Sequence, residues 1–273
     1  MHPCLAITAL DPHRLTRMPH EDRVRADFAA VWRERMAAGG PRPFLTFLDE
    51  TTGERVELSY ATFGNWLAKT ANLIQDDLMA QHGDVIAVSA PPHWITAVWA
   101  VAPLLAGVAV APWGDPAAAH TAIAYADDET LAAARACPGE RLALSLLPLG
   151  RPFAVVPDGF RDYSAEVRAH GDHFVPFDAP ASETAALVLG EQTLRHRELV
   201  EAAADAARSA GLSDGDRVLV DARAVRFDGA DLLEWLYAPL SAGASVVLVR
   251  GGDAGRLDRI AATERATARL ALG

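Results

Sequence analysis

Apolar positions follow two rhythms along this chain, a helical one and an alternating or continuous one, and their order predicts the fold. Residues 19–38 carry Val24, Phe28, Val31 and Trp32 at helical spacings, with Gly39 and Gly40 as a stop. Residues 44–48 and 55–58 alternate around Glu50, Thr51, Thr52 and Gly53, which predicts a β-hairpin. Ser59 is placed to cap a helix running to about Gln81. A strand at 85–89, a helix at 94–106 and a strand at 108–112 follow, the β–α–β order of a mostly parallel sheet. Next come a strand at 121–126, a short helix opened by Asp127, Asp128 and Glu129, and a strand at 141–147. Acids suit a helix N-terminus, so these three are read as capping residues and not as a catalytic cluster. Residues 148–180, rich in Pro, Gly and Asp, form a connecting region with a short helix at 163–169.

A second block predicts a strand at 184–189, a helix at 194–210, a strand at 217–222, a helix at 231–241 and a strand at 245–249. A helix at 253–266 and a short strand at 269–272 end it. The blocks look alike. L-S-Y-A-T-F at 58–63 stands to L-R-H-R-E-L at 194–199 as Gly83 and Asp84 stand to Gly215 and Asp216. P-L-L-A-G-V-A-V at 103–110 then matches P-L-S-A-G-A-S-V at 239–246. The expected fold class is α/β: two homologous, doubly wound, mostly parallel lobes. The division read from the sequence is an N-terminal helical segment at 1–42, a first lobe with connecting region at 43–180, and a second lobe at 181–273.

Composition narrows the function. A formal charge of −11 argues against nucleic acid and anionic membrane as partners. Residues 85–114 hold no Asp, Glu, Lys or Arg, yet Pro91, Pro92, Pro103, Pro112 and His93 interrupt them, so a buried strand–helix–strand is expected and no membrane span. Residues 1–20 show no long apolar run, so no signal peptide is expected. Cys4 and Cys137 form no recognisable pair, which points to the cytoplasm. His170 and His173, three apart across Gly171 and Asp172, make a weak zinc pattern and are read with Asp172 as a solvated loop. Cys137 reads as packing, and no G-x-G-x-x-G occurs, so no cofactor is expected. Lys69 is the only lysine in the chain and reads as a solvated or salt-bridged surface residue.

The order of these landmarks resembles the N-terminal region of the adenylate-forming enzymes: acyl-CoA synthetases, luciferases and peptide-synthetase adenylation domains. L-S-Y-A-T-F at 58–63 is similar to their L-T-Y-x-E-L helix start, and L-A-G-V-A-V-A-P at 105–112 to L-K-A-G-x-x-x-V-P-L. F-D-G-A at 227–230, with Glu234 and A-G-A at 242–244, resembles the F-D-x-S segment of adenylation domains. In that subfamily the aspartate holds the substrate amine, and Asp228 occupies its place; equally, Asp228 is placed to cap the helix that follows.

The departures weigh against adenylation. The family's phosphate loop, T-S-G-T-T-G-x-P-K-G, belongs after the strand at 184–189, where only Gly190, Glu191, Gln192 and Thr193 fill the gap. One glycine, an acid and no lysine make a poor anion site. The family's later motifs and catalytic lysine find no counterpart after Val249. The truncated layout and lysine-poor composition look like those of short actinobacterial proteins of unassigned function. The resemblance implies a degenerate, non-catalytic protein that binds a small carboxylate, an amino-acid-like ligand or a protein partner. An ATP-independent enzyme acting on a carboxylate or amino acid, or one half of a split ligase, stays open beside it. Any ligand is expected at the carboxyl edge of the second lobe, near Gly190 to Thr193, Arg223, Arg226 and Asp228.

Overall fold

The structure is a computed structural model that describes residues 27–225 and 227–270. Helix α1 (Phe28–Gly39) leads into the first repeat: strands β1 (Pro43–Asp49) and β2 (Glu54–Ser59), helix α2 (Tyr60–Asn72), strand β3 (Val85–Ser89), helix α3 (Trp94–Leu105) and strand β4 (Ala109–Pro112). The connecting part holds β5 (Thr121–Tyr125), α4 (Asp128–Ala134), β6 (Glu140–Leu144), β7 (Arg161–Asp162) and α5 (Tyr163–Glu166). The second repeat holds β8 (Ala185–Leu189), β9 (Gln192–Arg195), α6 (His196–Ser209), β10 (Arg217–Asp221), α7 (Gly229–Leu232), α8 (Ala238–Ala242) and β11 (Ser245–Arg250). Helix α9 (Ala254–Thr263) and strand β12 (Ala268–Arg269) follow.

These strands make two mostly parallel sheets, ordered β12-β10-β11-β1-β2 and β7-β6-β5-β3-β4-β8-β9. The two repeats are present, but the sequential division at 180/181 does not separate the sheets. Each repeat lends its hairpin to the other's sheet: β1 runs parallel to β11, and β8 runs parallel to β4. Burial accounts for the exchange. Four consecutive residues of β1, from Phe44 to Phe47, are buried, so that strand needs sheet neighbours and covered faces on both sides. Its partner β2 and the equivalent β9 are half-exposed, and they close the sheet ends as antiparallel edge strands. Pattern marks a strand, but it does not say which distant strand it joins.

Alternate residues of each strand serve different layers. Val218, Val220, Val246 and Leu248 face the main core, while Leu219, Val247 and Val249 pack with Ile260 of α9. In the larger sheet Ile123 faces the main core, while Ala122 and Ala124 pack with Ala134 of α4 and Cys137. The main core lies between the sheets and is filled by helices. Every residue of α3 is buried, and in α1 Trp32 stacks on Tyr60 at 6.1 Å and meets Phe63 edge-on at 5.7 Å.

Helix ends differ from expectation in instructive ways. Ser59 caps α2 by accepting from the Thr62 N–H at 3.1 Å, but α2 gives way to a π-helical turn at Leu73–Asp77. The helix expected at 194–210 begins later, because Leu194 and Arg195 extend β9 and the Glu198 carboxylate accepts from the Arg195 N–H. The helix expected at 231–241 is α7 and α8 joined by a π-helical turn, Leu233–Tyr237. Strand β7 was not read from the sequence at all. Asp127 caps α4, with Asp128 and Glu129 in its first turn, as the capping reading requires. Residues 19–26, 271 and 272, also assigned to elements above, lie outside the described residues. Among the described residues no helix is long and apolar enough to cross a membrane.

Candidate functional site

The carboxyl edges of both sheets converge on one crevice. After β3 the chain runs through Ala90, Pro91 and Pro92; after β4 it reaches Trp113; after β10 it passes Ala222, Val225, Phe227 and Asp228. These residues line a cleft of about 550 Å³. Trp113 is held in the left-handed region at φ 48 while its N–H donates to the Val88 carbonyl at 2.8 Å. A bulky residue is strained there, yet its indole stays 51% exposed on the cleft wall.

Asp228 sits at the N-cap of α7, and its Oδ1 accepts from the Asp231 N–H at 3.0 Å. The capping role is therefore real, and the same carboxylate also lines the cleft. Beside it Gly229 presses on Leu189 at the end of β8, where any side chain would collide with the leucine. That close approach brings the β8 end to the first turn of α7.

Among the described residues, the other predicted ones do not join Asp228 on the cleft wall. Gly190, at φ 62, and Glu191 form the tip of the β8–β9 hairpin. Gln192 and Thr193 belong to β9 itself, paired with Leu189 and Val188. Glu191, Gln192 and Thr193 are exposed. Arg223 is also exposed, and its guanidinium forks onto Asp221 at 3.0 and 2.7 Å, which holds the Asp221 carboxyl below its ordinary value. Arg223 is thus already neutralised by a neighbour two residues away. Arg226 lies outside the described residues.

Beneath the cleft lies a group that the sequence reading missed. His93 is fully buried at the N-cap of α3; its Nδ1 accepts from the Ile95 N–H at 3.1 Å, and Nε2 has no partner among the described residues. Burial, reinforced by the positive charge of Arg250, holds its pKa well below the ordinary value, so the ring is neutral. Arg250 donates to the Pro92 carbonyl at 3.2 Å, pairs with Asp49 at 3.7 Å and lies over the Phe47 ring. It ties the end of β11 to the end of β3, across the two sheets. No local pattern announces this clamp, because its partners are far apart in the chain.

A second cleft of about 480 Å³ opens at the amino edge of the smaller sheet. Its charges are largely spent on one another. Glu264 accepts from Arg55 at 2.9 Å and from Arg217 at 2.8 Å, and Thr267 donates to Asp216 at 2.8 Å. Among the described residues no group of three or more His, Cys, Asp or Glu could hold a metal. The loop from 170 to 173 is solvated as expected at Gly171, Asp172 and His173, while His170 approaches Asp77 at 3.3 Å with its side chain 12% exposed. Lys69 is salt-bridged, as one of its two readings held, to Asp172 at 2.7 Å.

No protein-family model matches the chain. It is 40% identical over 230 residues, 84% of this chain and 90% of the relative, to a "TIGR03089 family protein" of Mycobacterium tuberculosis. Its fold is similar to that of a Brucella canis acyl-CoA synthetase, with TM-score 0.72 and 16% identity over 94% of this chain and 51% of that one. It is also similar to the N-terminal domain of FACL13 from Mycobacterium tuberculosis, with TM-score 0.68 and 14% identity over 89% and 62%. The chain thus spans about half to three-fifths of the solved structures it matches. These likenesses bear on fold, and the closer sequence match on kinship: the chain belongs to the TIGR03089 family, built on the N-terminal fold of the adenylate-forming enzymes.

Proposed function

We propose that this protein binds a small, largely apolar ligand in the cleft at the carboxyl edges of its sheets, and does so without activating it through ATP. The observation that carries the reading is the β8–β9 hairpin. Phosphate loops work by turning consecutive backbone N–H groups and a lysine toward the anion. Here β8 turns through Gly190 and Glu191 straight into β9, whose ladder partners are those of an ordinary hairpin. The residue at the tip is an acid, which repels a triphosphate. Phosphoryl and adenylyl transfer depend on positioned charge, so a site without it loses the reaction before it loses the fold.

The cleft itself favours an apolar body carrying a basic end. Among the described residues its walls are Ala, Pro, Val, Phe and Trp, with Asp228 as the one carboxylate. Arg223 is neutralised by Asp221, which removes support for the carboxylate end of a zwitterion and favours a simple amine. The test is a thermal-shift screen of phenethylamine, tyramine, aliphatic amines, amino acids and the matching carboxylates, on the parent and on Asp228→Asn. Asparagine caps a helix about as well as aspartate, so the variant removes the charge and keeps the fold. An amine that raises the Tm of the parent and not of the variant is the expected result. No hit in the parent, or a hit that Asp228→Asn leaves unchanged, contradicts the reading.

A further inference from the structure

On the flank of α2, away from both clefts, an irregular strap from His170 to Asp178 is laid along the helix and its π-helical turn. The side chains that hold it recur at helical spacing. Lys69 Nζ donates to the His170 carbonyl at 2.6 Å, and Asn72 Nδ2 donates to the carbonyls of Gly171 and His173 at 3.0 and 2.9 Å. Gln75 spans the next step, donating to the Val175 carbonyl at 3.4 Å and accepting from the Phe177 N–H at 2.9 Å. His82 meets the Asp178 carbonyl at 2.8 Å. Such a series fixes the backbone, so side chains along the strap have set directions. Phe174 packs inward against the main core.

Fixed in this way, the strap turns apolar groups toward solvent. Val175 is 64% exposed and Phe177 80%, two residues apart. Met79, 64% exposed, falls in the chain between Gln75 and His82, the residues that hold the strap at Phe177 and Asp178. A loose tail would scatter such side chains; here the backbone hydrogen bonds hold them in place, at a cost in exposed apolar area. Acids rim the patch. Asp76, Asp77, Asp172 and Asp178 are all exposed. Asp172 is matched by Lys69, and Asp77 by Arg161 and His170, while the carboxylates of Asp76 and Asp178 have no partner among the described residues.

We propose that this strap is a docking surface for a basic, amphipathic segment of another protein, whose apolar side chains cover Val175 and Phe177 and whose cations meet Asp76 and Asp178. Charge selects this occupant. A second copy of this chain, at a formal charge of −11 and with the same acidic rim, would meet like charge. The surface lies outside the cleft assigned to the small ligand, so the two readings stand or fall separately.

The test uses the full chain and two fluorescein-labelled helical peptides of equal length, one built from Lys and Leu and one from Glu and Leu, in anisotropy titrations. The basic peptide is expected to bind at micromolar concentration and the acidic one not at all. Val175→Ser with Phe177→Ser should weaken the basic peptide about tenfold or more, and Asp76→Asn with Asp178→Asn about threefold, with a shallower salt dependence. All four positions are exposed, and thermal melts of both variants should match the parent; the charge variant keeps the test decisive if the apolar one folds poorly. Equal binding by parent and variants would reduce the effect to general attraction by an acidic protein and overturn the proposal. So would no binding, or a concentration-dependent dimer in sedimentation that Phe177→Ser abolishes.

Discussion

Lowering the pH from 7 to 5 is expected to destabilise this protein through two buried imidazoles. His196 is fully buried at the start of α6, its Nδ1 accepting from the Phe28 N–H at 3.3 Å and its Nε2 without a partner among the described residues. Burial pushes its pKa from 6.5 down to about 4, with Asp27 opposing and His82 assisting. Because the folded value is the lower one, the unfolded chain holds a proton here that the folded chain does not, between pH 6.5 and about 4. Stability therefore falls as pH drops through that window and levels off below it. Integrated from pH 7 to 5, one such site costs about 2 kcal/mol, or about 5 °C in Tm for a chain of this size. His93, whose pKa is also lowered by burial, adds a loss of the same sign. Urea unfolding followed by tryptophan fluorescence at pH 7, 6 and 5 measures it. His196→Asn retains an acceptor for the Phe28 N–H and removes the titration, so its loss between pH 7 and 5 should be about 2 kcal/mol smaller than the parent's. Equal losses in parent and variant would refute the reasoning.

Two further outcomes follow from the packing. Glu264→Gln weakens the paired contacts to Arg55 and Arg217 that bind β2 and β10 to the end of α9, and should cost about 2 kcal/mol in urea unfolding at neutral pH. The arginines hold the Glu264 carboxyl below its ordinary 4.5, so the parent's advantage over Glu264→Gln should be fully present above pH 4.5 and be lost as pH falls below it through the lowered folded value. Gly229→Ala drives a methyl into Leu189 where β8 meets α7, with an expected cost of about 1–3 kcal/mol; a neutral result would mean that the junction relaxes freely.

The sequence carried the elements better than their partners. Strand β1 was legible because it and residues 55–58 flank the turn residues Glu50, Thr51, Thr52 and Gly53, and the cap at Ser59 because serine precedes a helical period. The exchange of hairpins was not, since β1 and β11 share no local signal and nothing in either names the other. The π-helical turns at Leu73–Asp77 and Leu233–Tyr237 left the helical period intact and so read as plain helix. At the site the cap at Asp228 was legible because F-D-G-A is a local pattern. His93 and Arg250 were not, because their meaning comes from a clamp between sheets. The pairing of Arg223 was hidden for the opposite reason: its partner Asp221 is close in sequence, but only the fork geometry reveals that they pair.

The central claim, that this fold binds without adenylating, is tested most directly by calorimetric titration of MgATP into the purified full chain. The hairpin tip at Gly190 and Glu191 predicts no binding tighter than millimolar, about −4 kcal/mol. A micromolar dissociation constant for MgATP would contradict the account.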